Sequence, residues 1–346
     1  MKKYLIYCIL FFSCFCTTAQ KQEKLFEQSY ALLDSMLEDK TAFNFKKAVF
    51  STENAYLNGK LDTRALNKNI AFYTNLAKSI VASKTLVYGE KDRETVNKWF
   101  SIFQVMCDTV PFYLKERQYI SKPFGYDFTD VFGHQSKESL FVSKLLTNHK
   151  GNCRSLPYLY KILAEELGVD ANLALAPNHV YIKHKSERHG WYNTELTSGI
   201  FPIDAWIMAS GFVHVDAITN GVYMKALDNK ESIALLLVDL ANNYNAIYPE
   251  NDGTFVLKCA ETAIKAYPHF GTALILRAET HKKQIEEEKD NQVASKRFTL
   301  LEKEYQHIHE IGYRNMPEQM YLNWLVSLKT ERNKYENKNL NTINKK

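Results

Sequence analysis

The spacing of apolar residues along the chain constrains its fold more than any other feature. In residues 20–120 apolar residues recur at intervals of three and four, a spacing typical of amphipathic helices. Phe26, Tyr30 and Leu33 form one such stripe. The same spacing returns in residues 226–330. The chain has only 13 glycines and 8 prolines among 346 residues, which disfavours a turn-rich all-β sandwich and favours helices.

Residues 121–225 have a different character. Glycines, prolines and β-branched runs concentrate there, and they predict strands mixed with helices. We therefore expect an α+β protein with a helical N-terminal region at 20–120, a mixed core at 121–225 and a second helical region at 226–330. Residues 331–346 are polar, and we expect them to form a frayed tail.

The N-terminal segment, residues 1–19, predicts a secretory signal peptide. Lys2 and Lys3 supply the positive start, an apolar run of roughly a dozen residues follows, and small residues precede Gln20. The run is shorter than the ~20 apolar residues that span a bilayer. We therefore expect an exported protein, periplasmic or extracellular, with no transmembrane span after the signal is removed.

The cysteines do not predict a disulfide framework. Three of the six lie inside the signal segment, which leaves Cys107, Cys153 and Cys259, an odd number. One disulfide with a free thiol and three free thiols are both open. Cys107 and Cys259 lie on helical apolar stripes and read as core residues. Acylation of Cys14 is a less favoured alternative to export, because the bulky Phe12 lies close before it.

Cys153 is different because it lies where a helix begins. Proline is tolerated only in the first turn of a helix, so Pro157 places the helix start near residues 152–155, and Gly168 is a natural C-terminal stop. The unpaired N–H groups and the dipole at a helix N-terminus favour negative charge. That environment lowers the pKa of a thiol, and the same N–H groups could stabilise an oxyanion.

Two strand-like runs, HVYIK and WYNTE, follow this helix and predict an antiparallel hairpin. If the hairpin is centred on Glu187, His179 stands opposite Glu195, and Tyr181 opposite Asn193. With a period of two, these four residues share one face of the sheet. A base with an acceptor held across from it is the geometry that a nucleophile–base–orienter triad requires.

These segments resemble the core of the transglutaminase-like superfamily. The similarity lies in GNCRSLPYLYKILAEELG, NHVYI and WYNTELTSG, covers about residues 125–205, and is strongest to a bacterial branch with C-terminal tetratricopeptide repeats. It implies an antiparallel sheet packed against the cysteine-bearing helix, with Cys153 as nucleophile and His179 as general base. Glu195 falls where the family usually has Asp, and Asn193 is an alternative orienter like the Asn of papain-type sites.

The C-terminal part of the resemblance is looser. The segment AETAIKAYP and the helix after it resemble the closing and opening helices of successive tetratricopeptide repeats. Ala260 and Ala263 would let two helices approach closely, and Pro268 would end the first one. A generic helical hairpin is the alternative interpretation.

Other candidate residues carry weaker signals. His134 and Gln135 could supply an oxyanion donor, and Asp204 and Trp206 could line the cleft. A zinc site at Cys153 is disfavoured because no CxxC or HxxxH partner pair exists. The formal charge of +5, without a basic run in the folded part, gives no indication of a nucleic-acid partner, and no cofactor is implied.

The sequence thus supports two functional hypotheses. The first is an exported cysteine-nucleophile amide hydrolase or acyltransferase that acts on peptide or protein substrates. The alternative is a non-catalytic binding or scaffold protein, in which a degenerate transglutaminase-like domain and a helical-repeat surface hold a protein partner.

Overall fold

The computed structural model describes the backbone of residues 2–83 and 86–341 and the side chains of residues 20–83 and 86–340. Within these ranges the protein is mixed α+β and mostly helical, so the expected class is confirmed. The side chains of the predicted signal segment, and residues 342–346 of the predicted tail, lie outside the described residues. In the described part of the chain, no helix is both long and apolar enough to cross a membrane.

The N-terminal third contains four long helices: α1 (Lys2–Leu37), α2 (Phe45–Tyr56), α3 (Thr63–Ser83) and α4 (Arg93–Cys107). The apolar stripe predicted for α1 faces the core, since its residues Phe26 and Leu33 are fully buried. Asn44 fixes the start of α2, because its side chain accepts a hydrogen bond from the Lys47 N–H.

This region is not entirely helical, and in that respect the prediction for residues 20–120 was wrong. Strands β1 (Val110–Leu114) and β2 (Arg117–Ser121) form an antiparallel hairpin across its boundary. Their two-residue turn places Lys115 and Glu116 at positive φ angles of 47° and 65°. Turns with positive φ angles usually contain Asn or Gly. Because Lys115 and Glu116 occupy these positions instead, the sequence does not predict the hairpin.

The mixed core contains two small sheets around a central helix. Its elements are β3 (Gly125–Tyr126), a short 3-10 helix (Lys137–Leu140), α5 (Val142–Asn148), β4 (Lys150–Gly151), α6 (Ser155–Glu166), β5 (Asn172–Ala176), β6 (His179–Ser186) and β7 (Gly190–Thr194). Strands β3 and β4 pair in parallel, and β5, β6 and β7 form an antiparallel sheet in that order. Helix α6 is buried on nearly all sides and contacts β5 and β6.

The predicted hairpin exists, but its register was wrong. It is centred on Arg188 rather than Glu187, so that Lys183 pairs with Asn193. The turn is set locally, since Gly190 adopts a left-handed conformation with φ +63° and the Ser186 hydroxyl accepts the N–H of the turn. The error moves each partner by two residues, and an even shift keeps every side chain on its predicted face.

The C-terminal part is helical: α7 (Asp204–Met208), α8 (Val215–Thr219), α9 (Asn229–Ile247), α10 (Thr254–Ala266), α11 (Gly271–Glu286), α12 (Asn291–Glu310), α13 (Glu318–Thr330), α14 (Arg332–Tyr335) and α15 (Lys338–Asn341). Helices α9 to α12 pack successively, and α9 also packs against α1 and α2. The small residues Ala260, Ala263 and Ala273 are fully buried in this array, as close helix approach requires.

The tail was expected to be frayed, and over residues 331–340 this was wrong. Tyr335 and Leu340 are buried apolar anchors among its polar residues. Its backbone also bonds to the core, since the Ile203 N–H donates to the Tyr335 carbonyl at 2.8 Å and the Asn337 N–H donates to that of Phe201 at 2.8 Å. This segment therefore packs against residues 201–203, which lead into α7.

Candidate active site

Cys153 lies two residues before the first residue of α6, Ser155, at the helix N-terminus that the sequence predicts. The Asn152 side chain accepts hydrogen bonds from the Arg154 N–H at 2.9 Å and the Ser155 N–H at 3.1 Å, and so caps the helix. Only glycine fits at position 151, since an added Cβ would lie 2.5 Å from the Ser155 hydroxyl. The turn is therefore rigid, and it holds Cys153 partly exposed at a cavity.

The structure brings Cys153, His179 and Glu195 together. The thiol interacts with the His179 imidazole and lies 3.7 Å from the Asn178 carbonyl. On the other side of the ring, His179 Nε2 lies 2.6 Å from Glu195 Oε2. Both His179 and Glu195 are almost fully buried, so the pair is shielded from water. The structure therefore brings the three predicted side chains together.

Glu195 reaches His179 along a diagonal of the sheet rather than directly across it. The observed pairing of Ile182 with Thr194 puts Glu195 one step further along, beside Tyr181. Diagonal neighbours are ~7–8 Å apart at the backbone, and the longer Glu side chain spans this distance. Its second oxygen, Oε1, accepts bonds from the Thr197 N–H at 2.8 Å and the Thr197 hydroxyl at 2.6 Å.

Asn193 is not brought to the imidazole. Its Nδ2 donates to the Pro202 carbonyl at 3.1 Å and to Asp204 Oδ1 at 2.8 Å. It pairs with Lys183, two steps along β6 from the residue beside Glu195. The structure therefore gives the orienting position to Glu195, and Asn193 and Asp204 instead fix the segment that follows the hairpin.

Two tyrosines at the site carried no sequence signal. The Tyr321 hydroxyl, from α13, lies 3.1 Å from His179 Nδ1 and 3.4 Å from the Tyr126 hydroxyl. It also interacts with the Cys153 thiol, whose charge raises the pKa of the nearby Tyr126 phenol. Burial raises the pKa of both phenols, which keeps them protonated. No spacing within α13 distinguishes Tyr321 from a core residue.

Two tryptophans enclose the imidazole. The rings of Trp206 and Trp324 stack with centroids 4.2 Å apart, and each meets His179 edge to face, at 6.0 Å and 5.3 Å. The Trp324 indole N–H donates to the Trp206 carbonyl at 2.9 Å. Trp206 is thus a packing residue behind the base rather than part of the cleft lining.

Of the two remaining oxyanion candidates, His134 lines the cavity beside Cys153 and Gln135 does not. His134 is exposed and pairs with Glu318 at 2.6 Å. Gln135 is also exposed, in a loop whose N–H groups bond to Asp130. The N–H groups of Arg154 and Ser155 are occupied by the helix cap, so the expected donors at the start of α6 are already bonded.

The electrostatics of the site favour a thiolate–imidazolium pair. Burial alone would raise the pKa of Cys153, but the interaction with His179 outweighs it and the pKa is lowered. Burial likewise opposes the charged imidazole, yet the carboxylate of Glu195 raises the pKa of His179. The pKa of Glu195 is lowered against its own burial by the charge on His179.

The other described cysteines lack this environment. Cys107 and Cys259 are free thiols, and burial raises the pKa of each. Among the described residues, all three cysteines are unbridged and no group of three or more His, Cys, Asp or Glu side chains could hold a metal ion. Cys153 is thus distinguished from the other two by its chemistry.

A cavity of about 470 Å³ extends from Cys153 and His179 towards the helical array. One wall comes from the 131–141 segment and from β5 and β6, and the other comes from α2, α9 and α11. Pockets of this size suit small molecules or short peptide segments. The candidate nucleophile therefore faces an enclosed space.

Comparisons with known proteins leave the family open. No family model matches the sequence, and no curated protein matches it. Among solved structures the chain is similar to menin, in a crystal structure described as revealing the binding site for the Mixed Lineage Leukemia protein. The identity is 13% and the TM-score 0.34, over 77% of this chain and 66% of menin, just under two thirds of its length. A likeness at this level identifies neither fold nor function.

Proposed function

We propose that the protein is an exported cysteine-nucleophile amide hydrolase or acyltransferase of the transglutaminase-like type, acting on peptide or protein substrates. The observation that carries the proposal is the grouping of Cys153, His179 and Glu195, in which Cys153 and His179 line one cavity and His179 Nε2 lies 2.6 Å from Glu195 Oε2. The resemblance of residues 125–205 to the transglutaminase-like superfamily supports the proposed type of enzyme. The signal-like residues 1–19 support its export.

The geometry supports a two-step acyl transfer. The Cys153 thiolate attacks a carbonyl carbon, and the C–S bond forms as the carbonyl electrons move to oxygen. The His179 imidazolium then gives its proton to the leaving amine, the C–N bond breaks, and a thioester remains. Water or a second amine attacks the thioester, loses a proton to His179 and releases Cys153. Glu195 holds the ring in one orientation and stabilises its charge throughout.

The oxyanion donor in this scheme is the Tyr126 hydroxyl. It lies 3.4 Å from the Tyr321 hydroxyl and remains protonated, because burial raises the pKa of its phenol. A tyrosine hydroxyl is a known type of oxyanion donor. This assignment replaces the N–H groups at the start of α6, which the Asn152 cap already occupies.

Alkylation of the purified protein by iodoacetamide tests the proposal. At neutral pH an ordinary thiol is only a few per cent thiolate, so we expect Cys153 to react roughly tenfold faster than a model thiol. His179→Ala should abolish this advantage, whereas His189→Ala, a half-exposed histidine outside the cavity, should not. Cys259 serves as an internal control because it is fully buried. A Cys153 rate equal to that of the model thiol, and unchanged by His179→Ala, would refute the mechanism.

A non-catalytic binding role is the second candidate, and one observation favours it. The Arg154 and Ser155 N–H groups are already bonded to the Asn152 side chain, so the start of α6 has no free backbone pair for an oxyanion. p-Nitrophenyl acetate separates the two roles. An enzyme should gain one acetyl group on Cys153, visible by intact mass. Fast alkylation without acetylation would support the binding role.

A further inference from the structure

One face of α9 lines the cavity beside Cys153. The residues of α9 that line it are Leu235, Leu236, Asp239, Asn242 and Asn243. Their spacing of one, three, three and one residues places them on a single helical face. The cavity therefore has a wall that is apolar near the start of this stretch and polar towards its end, and this wall lies outside the segment that carries the candidate triad.

Asn243 is the residue of this face whose environment is unexplained by the fold. Its exposed fraction is 4%, its side chain lines the cavity, and no side-chain hydrogen bond joins its amide to another of the described residues. Buried amides are rarely left unpaired. Asn152, also buried, shows the usual pattern, since its amide bonds to the Val131 carbonyl and to two N–H groups. An amide both buried and unpaired on a cavity wall indicates a ligand that supplies the missing bonds.

The charges in the cavity are mostly neutralised within the protein. Arg154 pairs with Asp239, which also accepts the Tyr158 hydroxyl at 2.9 Å. Both oxygens of Glu53 accept N–H groups at the start of α5, at 2.7 Å and 3.0 Å, and burial raises the pKa of this carboxyl to about 7. Lys137, half-buried, is a lining cation without an ion-pair partner among the described residues.

The rest of the lining is largely aliphatic and aromatic. It includes Val49, Val131, Phe141, Leu175, Val180, Phe270 and Ile275. A cavity with aliphatic and aromatic walls and the available amide of Asn243 matches a peptide segment, whose main-chain N–H and C=O complement the two ends of a side-chain amide.

We propose that this cavity binds the peptide segment next to the carbonyl that Cys153 attacks, and that it selects uncharged apolar side chains there. The Asn243 Nδ2 donates to a main-chain carbonyl of that segment and its Oδ1 accepts a main-chain N–H, while the aliphatic walls enclose the side chain. This inference rests on the proposed function and adds the substrate class to it.

Peptidyl chloromethyl ketones test the selection in the whole protein. In these reagents the Cys153 thiolate forms a C–S bond and displaces chloride. Three benzyloxycarbonyl dipeptide reagents are compared: valyl-phenylalanyl, glutamyl-glutamyl and lysyl-lysyl, with iodoacetamide as the reagent that does not use the cavity. We expect the apolar reagent to saturate and to react at least about tenfold faster than either charged one, each rate being divided by that of a model thiol.

The variant Asn243→Leu tests the amide. Losing both hydrogen bonds of the amide should slow the apolar reagent by about tenfold or more and leave the iodoacetamide rate unchanged. Asn67→Leu, at an exposed position on α3 outside the cavity, is the matched control and should change neither rate. An unchanged iodoacetamide rate in Asn243→Leu also shows that the variant has folded with its site intact.

The outcomes separate this inference from the proposed function. If iodoacetamide reacts with Cys153 no faster than with a model thiol, the proposed function fails, and this inference fails with it. If iodoacetamide reacts fast but the three ketones react alike, or Asn243→Leu leaves the apolar reagent unaffected, only the cavity assignment is overturned. A preference for the glutamyl reagent would also overturn it and would assign the recognition to Lys137.

Discussion

Shortening Glu195 by one methylene tests the diagonal geometry of the candidate triad. Glu195 is offset along the sheet from His179, and its Oε2 still lies 2.6 Å from His179 Nε2. The transglutaminase-like pattern has Asp at this position, so a sequence comparison would class Glu195→Asp as harmless. The structure predicts the opposite, because the contact depends on side-chain length.

The expected decrease in the alkylation rate of Cys153 follows from the distance between Glu195 Oε2 and His179 Nε2. Removing one carbon–carbon bond withdraws the carboxylate by about 1.5 Å. The separation then becomes about 4.1 Å, beyond hydrogen-bond range. A charge-assisted hydrogen bond contributes about 1.5–3 kcal/mol, and its loss would destabilise the thiolate–imidazolium pair by a similar amount. At 1.4 kcal/mol per factor of ten, we expect alkylation of Cys153 at neutral pH to slow by tenfold or more.

The assay is the pH dependence of iodoacetamide labelling at Cys153, read by peptide mass spectrometry. The lowered pKa of Cys153 means that the wild-type rate should persist at neutral pH and fall only as the pH drops through that value. Glu195→Asp should move this fall to higher pH, and so should Glu195→Gln, which keeps the length but removes the charge. Glu250→Asp, at an exposed loop position, is the control. A Glu195→Asp profile that coincides with the wild type would refute the diagonal contact.

Two further predictions concern hydroxyl and ammonium groups. Tyr321→Phe removes a hydroxyl that lowers the pKa of Cys153, so the labelling profile should move to higher pH by up to about one unit, the effect of one hydrogen bond; an unmoved profile would show that Tyr321 only packs. Burial lowers the pKa of Lys161 to about 8. The unfolded chain, with a lysine pKa of about 10.4, then binds more protons above pH 8. The free energy of unfolding should therefore rise by about 1.5 kcal/mol from about pH 8 to about pH 9.5. Lys161→Met should remove this rise in urea titrations, and a rise that survives would disprove the linkage.

The position of the cysteine-bearing helix was predictable because one residue restricts it. Pro157 can occupy only the first turn of a helix, and α6 indeed begins at Ser155, two residues earlier. The face of the hairpin was predictable for a similar reason, since strand periodicity assigns His179 and Glu195 to one side in every register that differs by an even number of residues. Steric and periodic rules of this kind act within a short stretch of sequence.

The register was not predictable, because it depends on a residue whose burial is invisible in the sequence. The predicted runs HVYIK and WYNTE leave His184 outside both strands, which shortened the first strand and shifted the centre of the turn. In the structure it is a buried strand residue, stacked on Trp99 at 4.3 Å, and its Nε2 lies 3.0 Å from the Tyr160 hydroxyl. Burial lowers the pKa of His184 to about 3, so it is uncharged there. These two partners of His184 lie on α4 and α6, and no pattern in the sequence near His184 predicts them.

The contribution of Tyr321 has a consequence for the order in which the protein acquires its site. Its contacts with His179 and Tyr126 join residues separated by 142 and 195 positions along the chain. Contacts across such separations form late in folding, because a long loop must close before they can stabilise anything. A chain still emerging from the ribosome would have its Cys153 helix and hairpin long before α13 arrives. The last hydroxyl of the site is thus supplied only once almost the whole polypeptide has been made.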